Sequence, residues 1–507
     1  MLSLGSFLFG RDSVTALNMP IPANPPNQSH FVDPFHATVN AASHLNVQDD
    51  PNYYAENPRS LFSTSTVHSF MDGTGSAIYR SLAPLLESTN HELILVTCFW
   101  ARSDTLKTMN EILRKLSDKA IRRGTEKIRV RLCFSSSSLF QKLFHKQSVT
   151  GQTYQPSVWT KKLGLLDPSE LGGLDLQIKS IFILPFSVMH PKFMIIDRQT
   201  VVLPSCNISW EEWFEGCITF SGPIIEQFLE FYNLFWDRRS MPPLQSAHGA
   251  EENRSHWPAE EVVTSDLGNG HIVTHFSAIN KPSVITNIPT VFLPSPHRRN
   301  PAFRPFASAD AIVSPPTPLN AFVLTLFAKA EKSIRIQSPN VTAPPVLSSL
   351  LRALERGINV TILTSERLMI LEQLVTAGTT TSRCIKKLVQ RHKKLYLRTR
   401  RPANDEEAAI SPSQPGRLLV SYFEPANGAK GRGEEEGEPQ QSHLKMTIVD
   451  GEVLVLGSGN LDRASWFTSQ ELGVAFFDGG LVGSVERVVD EAMVGRSRLI
   501  YDSGGDP

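Results

Sequence analysis

Two histidines, each followed two residues later by a lysine, are the residues best suited to chemistry in this chain of 507 residues. His190 and His443 both begin the pattern H-x-K-x-x-x-x-D, which occurs twice, 253 positions apart. An imidazole can attack phosphorus or protonate an oxygen near neutral pH, and an ammonium group can neutralise an anion. The repeated pattern therefore predicts a duplicated site that holds and attacks a phosphoryl centre.

The residues that follow the two motifs also agree. In both copies a serine and an asparagine lie 15 and 17 residues after the histidine, and a tryptophan lies 6 residues beyond the asparagine. A glutamate follows 25 residues after His190 and 28 after His443. The matching residues are Ser205 and Ser458, Asn207 and Asn460, Trp213 and Trp466, and Glu215 and Glu471. The copies differ before the serine, where the first has Pro204 and the second has Gly457.

The spacing within each motif is typical of a β-strand. Residues i and i+2 of a strand point to the same face, so each histidine should project beside its lysine, Lys192 or Lys445. Apolar residues follow each lysine, as a buried strand requires, and Asp197 and Asp450 then open a turn. A second apolar strand would return the serine and asparagine to the histidine and lysine.

With these motifs and flanks, the chain resembles the phospholipase D superfamily from about residue 61 to residue 500. These two-motif phosphodiesterases include cardiolipin synthases and some nucleases. The resemblance implies a metal-independent reaction, without a cofactor, through a covalent phosphohistidine, and it suggests His190 as the nucleophile and His443 as the acid. Glycerophospholipid, hydrolysed or transphosphatidylated, is the expected substrate. The alternatives are a nucleic-acid phosphodiester and a catalytically silent binding scaffold.

Candidate site residues fall into two overlapping sets. The catalytic candidates are His190, Lys192, Asp197, Asn207, Glu215, His443, Lys445, Asp450, Asn460 and Glu471. The candidate phosphate ligands are Lys192, Ser205, Asn207, Lys445, Ser458 and Asn460. Each glutamate is expected to orient a histidine rather than end a solvated strand. The two aspartates suit a structural turn at least as well as chemistry, and the two tryptophans suit a core or a pocket wall.

Alternating helices and strands surround the motifs and predict an α/β fold. The first half shows a helix at 76–86, a strand at 92–99, a helix at 105–123 and a strand at 128–134. The second half repeats this order at 319–330, 333–337, 346–356 and 358–363, and a helix follows the motif in both halves. We therefore expect two similar phospholipase D-like α/β/α halves, packed as a pseudo-twofold pair so that both motifs meet in one cleft.

Composition shifts divide the chain. Residues 1–60 are expected to form a flexible N-terminal arm, and 61–242 to form the first phospholipase D-like domain. A linker is expected at 243–316, and the second domain at 317–501, with a disordered insertion at about 402–441.

Charge and cysteine content limit the partners. Basic and acidic residues are balanced at 50 each, so no overall field attracts nucleic acid, which remains possible but less favoured than a phospholipid. Five scattered cysteines predict buried thiols and an intracellular protein, cytoplasmic or at a membrane surface. No apolar run is long enough to span a membrane, and no metal site or obligate protein partner is expected. A basic run at 383–401 suits a solvated helix face followed by a charged strand, or a contact with anionic membrane lipid or a nucleic-acid backbone.

Overall fold

The computed structural model describes residues 26–124, 126–137, 145–146, 148–183, 187–238, 285–296, 313–400, 414–431 and 438–504. Strands and helices alternate along these residues, and 17 of the strands join one large mixed sheet. The predicted α/β fold class is therefore confirmed.

The N-terminal segment and the first half contain the elements that carry the first motif. The segment forms α1 (Pro26–Ala41), α2 (Ser43–Asn46), α3 (Tyr53–Glu56) and a 3-10 turn at Pro58–Leu61. The first half follows with β1 (Phe62–Gly73), α4 (Gly75–Glu87), β2 (Glu92–Phe99), α5 (Asp104–Arg123), β3 (Ile128–Ser136), β4 (Gln152–Thr153), α6 (Pro156–Val158), β5 (Leu174–Ser180), β6 (Phe182–Ile183), β7 (Ser187–Val188), β8 (Phe193–Ile196), β9 (Thr200–Pro204), β10 (Trp213–Ser221) and α7 (Ile224–Tyr232).

The second half repeats this plan around the second motif. Its elements are β11 (Ile285–Ser295), α8 (Pro318–Lys329), β12 (Ser333–Gln337), α9 (Pro344–Glu355), β13 (Asn359–Thr364), α10 (Ile370–Ala377), α11 (Thr381–Arg400), β14 (Leu418–Phe423), β15 (Gln441–Ser442), β16 (Met446–Val449), β17 (Val453–Gly457), α12 (Arg463–Phe467), β18 (Glu471–Phe477), α13 (Gly479–Met493) and β19 (Ser497–Asp502).

The strand order makes the two halves equivalent. In the first half the strands lie in the order β4-β5-β3-β2-β8-β9-β10-β1. The second half continues as β11-β18-β17-β16-β12-β13-β14-β19. Strands β1 and β11 pair antiparallel at the centre, with Phe62 opposite Val291 and Ser65 opposite Ile288. One continuous sheet thus crosses the boundary between the halves about a pseudo-twofold axis.

Local sequence explains why these elements form where they do. Helix α5 begins where the Ser103 side chain accepts a hydrogen bond from the Leu106 N–H, and it ends at Gly124, which has a φ of 64°. The helix buries a stripe of apolar residues, including Leu106, Met109 and Leu113, against the sheet. Strand β2 is a nearly continuous apolar run, as expected for a strand covered on both faces.

Three predictions about irregular segments need correction. Residues 26–60 of the predicted flexible arm form helices and turns, because Phe31, Phe35 and Val39 lie four residues apart and bury one helix face in the core. Residues 285–295 of the predicted linker form β11, and residues 418–423 of the predicted insertion form the buried strand β14. The second half therefore begins before residue 317. Residues 1–25, 239–284, 297–312, 401–413 and 432–437 lie outside the described residues.

Other features of the chain bear on its surroundings. All five cysteines are buried free thiols, as the sequence predicts. The basic run lies on helix α11, so the predicted charged strand within it is wrong, whereas the side chains of 398–401 lie outside the described residues. In the described part of the chain, no helix combines the length and apolarity that crossing a bilayer requires.

Candidate active site

Both motif histidines lie in extended segments just before a strand, and both pair with the opposite half of the molecule. The His190 N–H donates to the Gln470 carbonyl at 2.9 Å, and the His443 N–H donates to the Phe214 carbonyl at 2.8 Å. Phe214 and Gln470 directly precede the two candidate glutamates. Each motif is thereby fixed beside the strand that carries the glutamate of the other half.

The glutamates contact the histidines across this boundary. The Nδ1 atom of His190 lies 2.8 Å from Glu471 Oε2, and Nδ1 of His443 lies 2.7 Å from Glu215 Oε1. A carboxylate on Nδ1 fixes the ring orientation and leaves Nε2 as the nitrogen free for chemistry. The two motifs therefore form one composite site, in which each half orients the histidine of the other.

The serines hold the glutamates in place. The Ser458 hydroxyl donates to Glu471 Oε2 at 2.5 Å and accepts from the Leu472 N–H at 3.1 Å. In the first half, the Ser205 hydroxyl donates to Glu215 and accepts from the Gly216 N–H at 2.9 Å. Because these hydroxyls are occupied, they suit glutamate positioning better than the phosphate binding predicted from the sequence.

The two lysines are buried beside the histidines. Lys192 is 1% exposed and its Nζ donates to the His190 carbonyl at 2.9 Å, while Lys445 is 4% exposed and donates to the His443 carbonyl. An ammonium group has three donors, so each lysine keeps two for an anion. Burial and the charge of Lys192 together lower the pKa of Lys445 to about 7, against the attraction of Glu215.

The two histidine–glutamate pairs differ in their protonation. Burial lowers the pKa of His190, although Glu471 raises it, and burial with the charges of both lysines lowers the pKa of His443 well below its usual value. Burial raises the pKa of Glu215 to about 7 despite Lys445 and Ser205. Burial also acts to raise the pKa of Glu471, but His190, Lys192 and Ser458 together hold it below its usual value.

The asparagines lie at the site in different settings. Asn207 Oδ1 accepts from the Phe99 N–H at 3.2 Å, which leaves its amide nitrogen to donate. Asn460 Nδ2 donates to Asp462 at 3.1 Å, and its Oδ1 is buried with no hydrogen-bond partner among the described residues. Asp462, which the sequence analysis did not select, also caps α12 by accepting from the Ser465 N–H. Its position two residues after Asn460 and directly before a helix could have identified Asp462 as a site residue from the sequence.

The motif aspartates lie at the far end of the strands from the histidines. Asp197 accepts hydrogen bonds from the backbone N–H groups of residues 90–92, at 2.7–2.8 Å. Asp450 accepts from those of residues 331–333, at 2.7–2.9 Å. Seven extended residues separate each aspartate from its histidine by about 20 Å. These contacts favour the structural role over the catalytic one, because each aspartate ties its turn to the start of β2 or β12.

The tryptophans occupy unlike positions despite their matching spacing. The ring of Trp213 lies 4.7 Å from that of His443, between centroids. Trp466 is 3% exposed, and its carbonyl accepts from Asn320 in the core. Trp213 thus lies against a site histidine, whereas Trp466 lies in the core and lines a cavity together with Lys445 and Asn460. Among the described residues, no group of three or more histidines, cysteines, aspartates or glutamates is arranged to hold a metal ion.

Comparison with known proteins was made on sequence and on structure. A family described as cardiolipin synthase, PLD-like domain, matches residues 323–493. No curated protein matches the chain. Among solved structures, the chain is similar to phosphatidylserine synthase from Haemophilus influenzae Rd KW20, with 12% identity, a TM-score of 0.47 and coverage of 86% of this chain and 89% of that one.

Two smaller structures are similar to part of the chain. One is Nuc, a phospholipase D family member from Salmonella typhimurium, with 18% identity, a TM-score of 0.24 and coverage of 36% of this chain and 90% of that one. The other is NucT from Helicobacter pylori, with 15% identity, a TM-score of 0.23 and the same coverages.

The family match lies in the second half and includes its whole motif, from His443 to Asp450. The first half repeats that motif, the strand order around it and the reciprocal histidine–glutamate contact. Residues 323–493 of this chain therefore match a phospholipase D-like domain, and the first half shares the motif and the strand order of that region.

Proposed function

We propose that this protein is a metal-independent phosphodiesterase that acts on glycerophospholipids, by hydrolysis or by transfer to an alcohol, through a covalent phosphohistidine. The observation that carries the proposal is the reciprocal pairing of His190 with Glu471 and of His443 with Glu215. It gives one cleft two oriented imidazoles beside two buried lysines. The family match supports a lipid substrate, since that family is described by cardiolipin synthase.

The electrostatics support different roles for the two histidines in the first step. Glu471 is held ionised, so it accepts the Nδ1–H of a neutral His190 and leaves a lone pair on Nε2. That lone pair attacks phosphorus while the bond from phosphorus to the leaving oxygen breaks. The Glu215–His443 pair retains a proton to about pH 7, and Nε2 of His443 delivers one to the leaving alkoxide.

The second step reverses the proton transfer. Nε2 of His443, now unprotonated, takes a proton from water or an alcohol as that oxygen attacks phosphorus. The bond between phosphorus and Nε2 of His190 breaks, and its electron pair returns to the imidazole. Lys192, Lys445 and the amide of Asn207 stabilise the charge on the non-bridging oxygens in both steps.

The test is a turnover assay on the purified full chain, with a panel of glycerophospholipids beside single-stranded DNA and RNA, with and without EDTA. We expect turnover of lipid, retained in EDTA, because the lysines supply the positive charge that metal ions provide elsewhere. Activity confined to nucleic acid, or activity lost in EDTA and restored by magnesium or zinc, would contradict the proposal. Mass spectrometry after acid-free quenching should find an adduct on His190 in which phosphorus still carries the second ester group of the substrate.

A further inference from the structure

Helix α10 buries two uncharged polar side chains and exposes four apolar side chains together with Glu372. Gln373 and Thr376 are 3% and 7% exposed, whereas Leu371, Val375 and Met369 are 80%, 52% and 44% exposed. Ile370 and Leu374 are also exposed, at 37% each. Burial of apolar surface drives folding, so a helix turned this way exposes a continuous apolar face that favours contact with a second apolar phase.

Hydrogen bonds fix this orientation. Gln373 Nε2 donates to Asn340 Oδ1 at 2.8 Å, and Gln373 Oε1 accepts from the Thr381 N–H and hydroxyl. Because Gln373 bonds to both neighbouring segments, α10 cannot rotate to bury its leucines without leaving buried polar groups unpaired. The outward apolar face is therefore a stable part of the fold.

The same contacts place α10 close to the candidate active site. The Val341 N–H donates to the Thr381 hydroxyl, and Val341 pairs with Leu461 in a parallel bridge. Leu461 directly follows Asn460, and helix α10 also packs against α12, which begins three residues after that asparagine. One loop thus separates the apolar face from the second motif.

The charge next to this face is mostly positive. Helix α11 starts at Thr381 and turns a row of basic residues to solvent, while Cys384, Ile385 and Leu388 face inward. The exposed basic residues with described side chains are Arg383, Lys386, Lys387, Arg391, Lys393 and Lys394. Two acidic residues lie nearby: Glu366, which is paired with Arg498 at 3.0 Å, and Glu372 on α10 itself.

We propose that α10 inserts its apolar face into a bilayer containing anionic phospholipid, with the basic face of α11 on the headgroups, and so brings the membrane to the active site. The apolar row supplies insertion and the adjacent lysines and arginines supply charge complementarity. This inference rests on the proposed function, since it specifies membrane lipid as the substrate.

The test compares vesicle binding by the full chain and by the double variant L371E/V375E. In co-sedimentation with phosphatidylcholine vesicles containing phosphatidylglycerol, the double variant should bind about tenfold or more weakly, because a buried leucine alone contributes about that factor. The matched control is I121E/L234E, at apolar residues of the first half that are 60% and 44% exposed. It should bind like wild type. Equal binding by L371E/V375E and wild type would overturn the proposal.

A second variant tests the contact between the basic face of α11 and the anionic headgroups. K386Q/K387Q should weaken binding by about fivefold per charge, on anionic vesicles only and less at high salt. The same loss on vesicles of phosphatidylcholine alone would contradict the headgroup contact.

A tryptophan variant tests insertion without introducing a charge, so its result does not depend on whether the glutamate variants fold. The fluorescence of L371W should shift to the blue on anionic vesicles and be quenched by brominated acyl chains, whereas I121W, at an exposed position of the first half, should show neither. No quenching of L371W would overturn insertion. If L371E/V375E turned a dimer into a monomer and left vesicle binding unchanged, the face would be a contact between copies of this chain.

A soluble substrate separates the two proposals. On a short-chain phospholipid below its micelle concentration, L371E/V375E should turn over like wild type, and it should lose turnover only on vesicles. If wild type turned over neither form of lipid, the proposed function would fail. Turnover of both forms by L371E/V375E at wild-type rates would refute the docking proposal alone.

Discussion

The two histidine–glutamate pairs arise from one repeated motif, yet their burial differs. The His190 side chain is 16% exposed beside a glutamate held ionised, whereas His443 and Glu215 are each 4% exposed and Glu215 has a pKa of about 7. The first pair favours a neutral imidazole with a lone pair on Nε2. In the proposed mechanism, the second pair keeps a proton that Nε2 of His443 delivers. Both halves therefore carry the same histidine and glutamate groups, and their different burial favours complementary protonation states of the two pairs.

The histidine variants should give the largest effect and separate the two roles. H190A and H443A should each lower turnover of a natural lipid by about 10⁴-fold, roughly 5 kcal/mol of barrier. With a p-nitrophenyl phosphodiester, whose leaving group needs no proton, H443A should still release a burst of p-nitrophenol and H190A should not. Stopped-flow absorbance measures the burst, and a burst in H190A alone would reverse the assignment.

The glutamate variants E215Q and E471Q should have the second largest effect and lower turnover by about 10²-fold each. Wild-type kcat/KM should fall as the pH rises through about 7, because the Glu215–His443 pair then loses the proton it must deliver and Lys445 loses its positive charge. E215Q leaves His443 to titrate alone with its lowered pKa, so this decline should move to lower pH. E471Q should slow the reaction and move the decline less than E215Q does, because Glu471 raises the pKa of His443 without a direct hydrogen bond to it. Profiles of kcat/KM against pH test this, and identical profiles for both variants would show that the pairs are equivalent.

The aspartate variants should affect stability and not chemistry. D197N and D450N each weaken three backbone hydrogen bonds to a carboxylate, so the free energy of unfolding should fall by about 1–3 kcal/mol in either half. Urea unfolding measures that loss, and kcat per folded molecule should remain within about twofold of wild type. A large fall in kcat with stability intact would restore the aspartates to the catalytic set.

Trp213 should have the smallest effect, and only on the second pair. Its ring lies within cation–π range of His443 and favours the protonated imidazole by about 0.5–1 kcal/mol. W213L should therefore slow turnover by about fivefold or less and move the alkaline decline in kcat/KM slightly to lower pH. In W466L, a change in the core, the decline should stay at the wild-type pH.

Local patterns predicted most of the elements and most of the site. Strands β2 and β12 lie where their apolar runs place them, and α5 ends at the glycine that suits its cap. Phe31, Phe35 and Val39 carried the spacing of a buried helix face, but the surrounding proline and asparagine obscured it. Strands β11 and β14 were missed because their proline-rich and charged flanks dominate the composition there.

Contacts between the halves were beyond local prediction. The sequence identified Glu215 and Glu471 as orienting residues, but nothing in its periodicity tells which histidine each one meets. The serines show the same limit, since only the strand register brings Ser205 to Glu215 and Ser458 to Glu471.

The central pairing of β1 with β11 has the form of an isologous dimer contact, in which the same strand from two equivalent units meets itself in the antiparallel direction. A single half cut from this chain would lose part of the apolar core that both halves share, and it would expose that strand as an open edge, which favours self-association. Its glutamate, Glu215 or Glu471, would also lack the histidine of the other half that it contacts in the full chain. The sequence thus repeats one motif, whereas the candidate site needs both motifs together. Because the two halves are covalently linked, each half always meets the other half and not a second copy of itself.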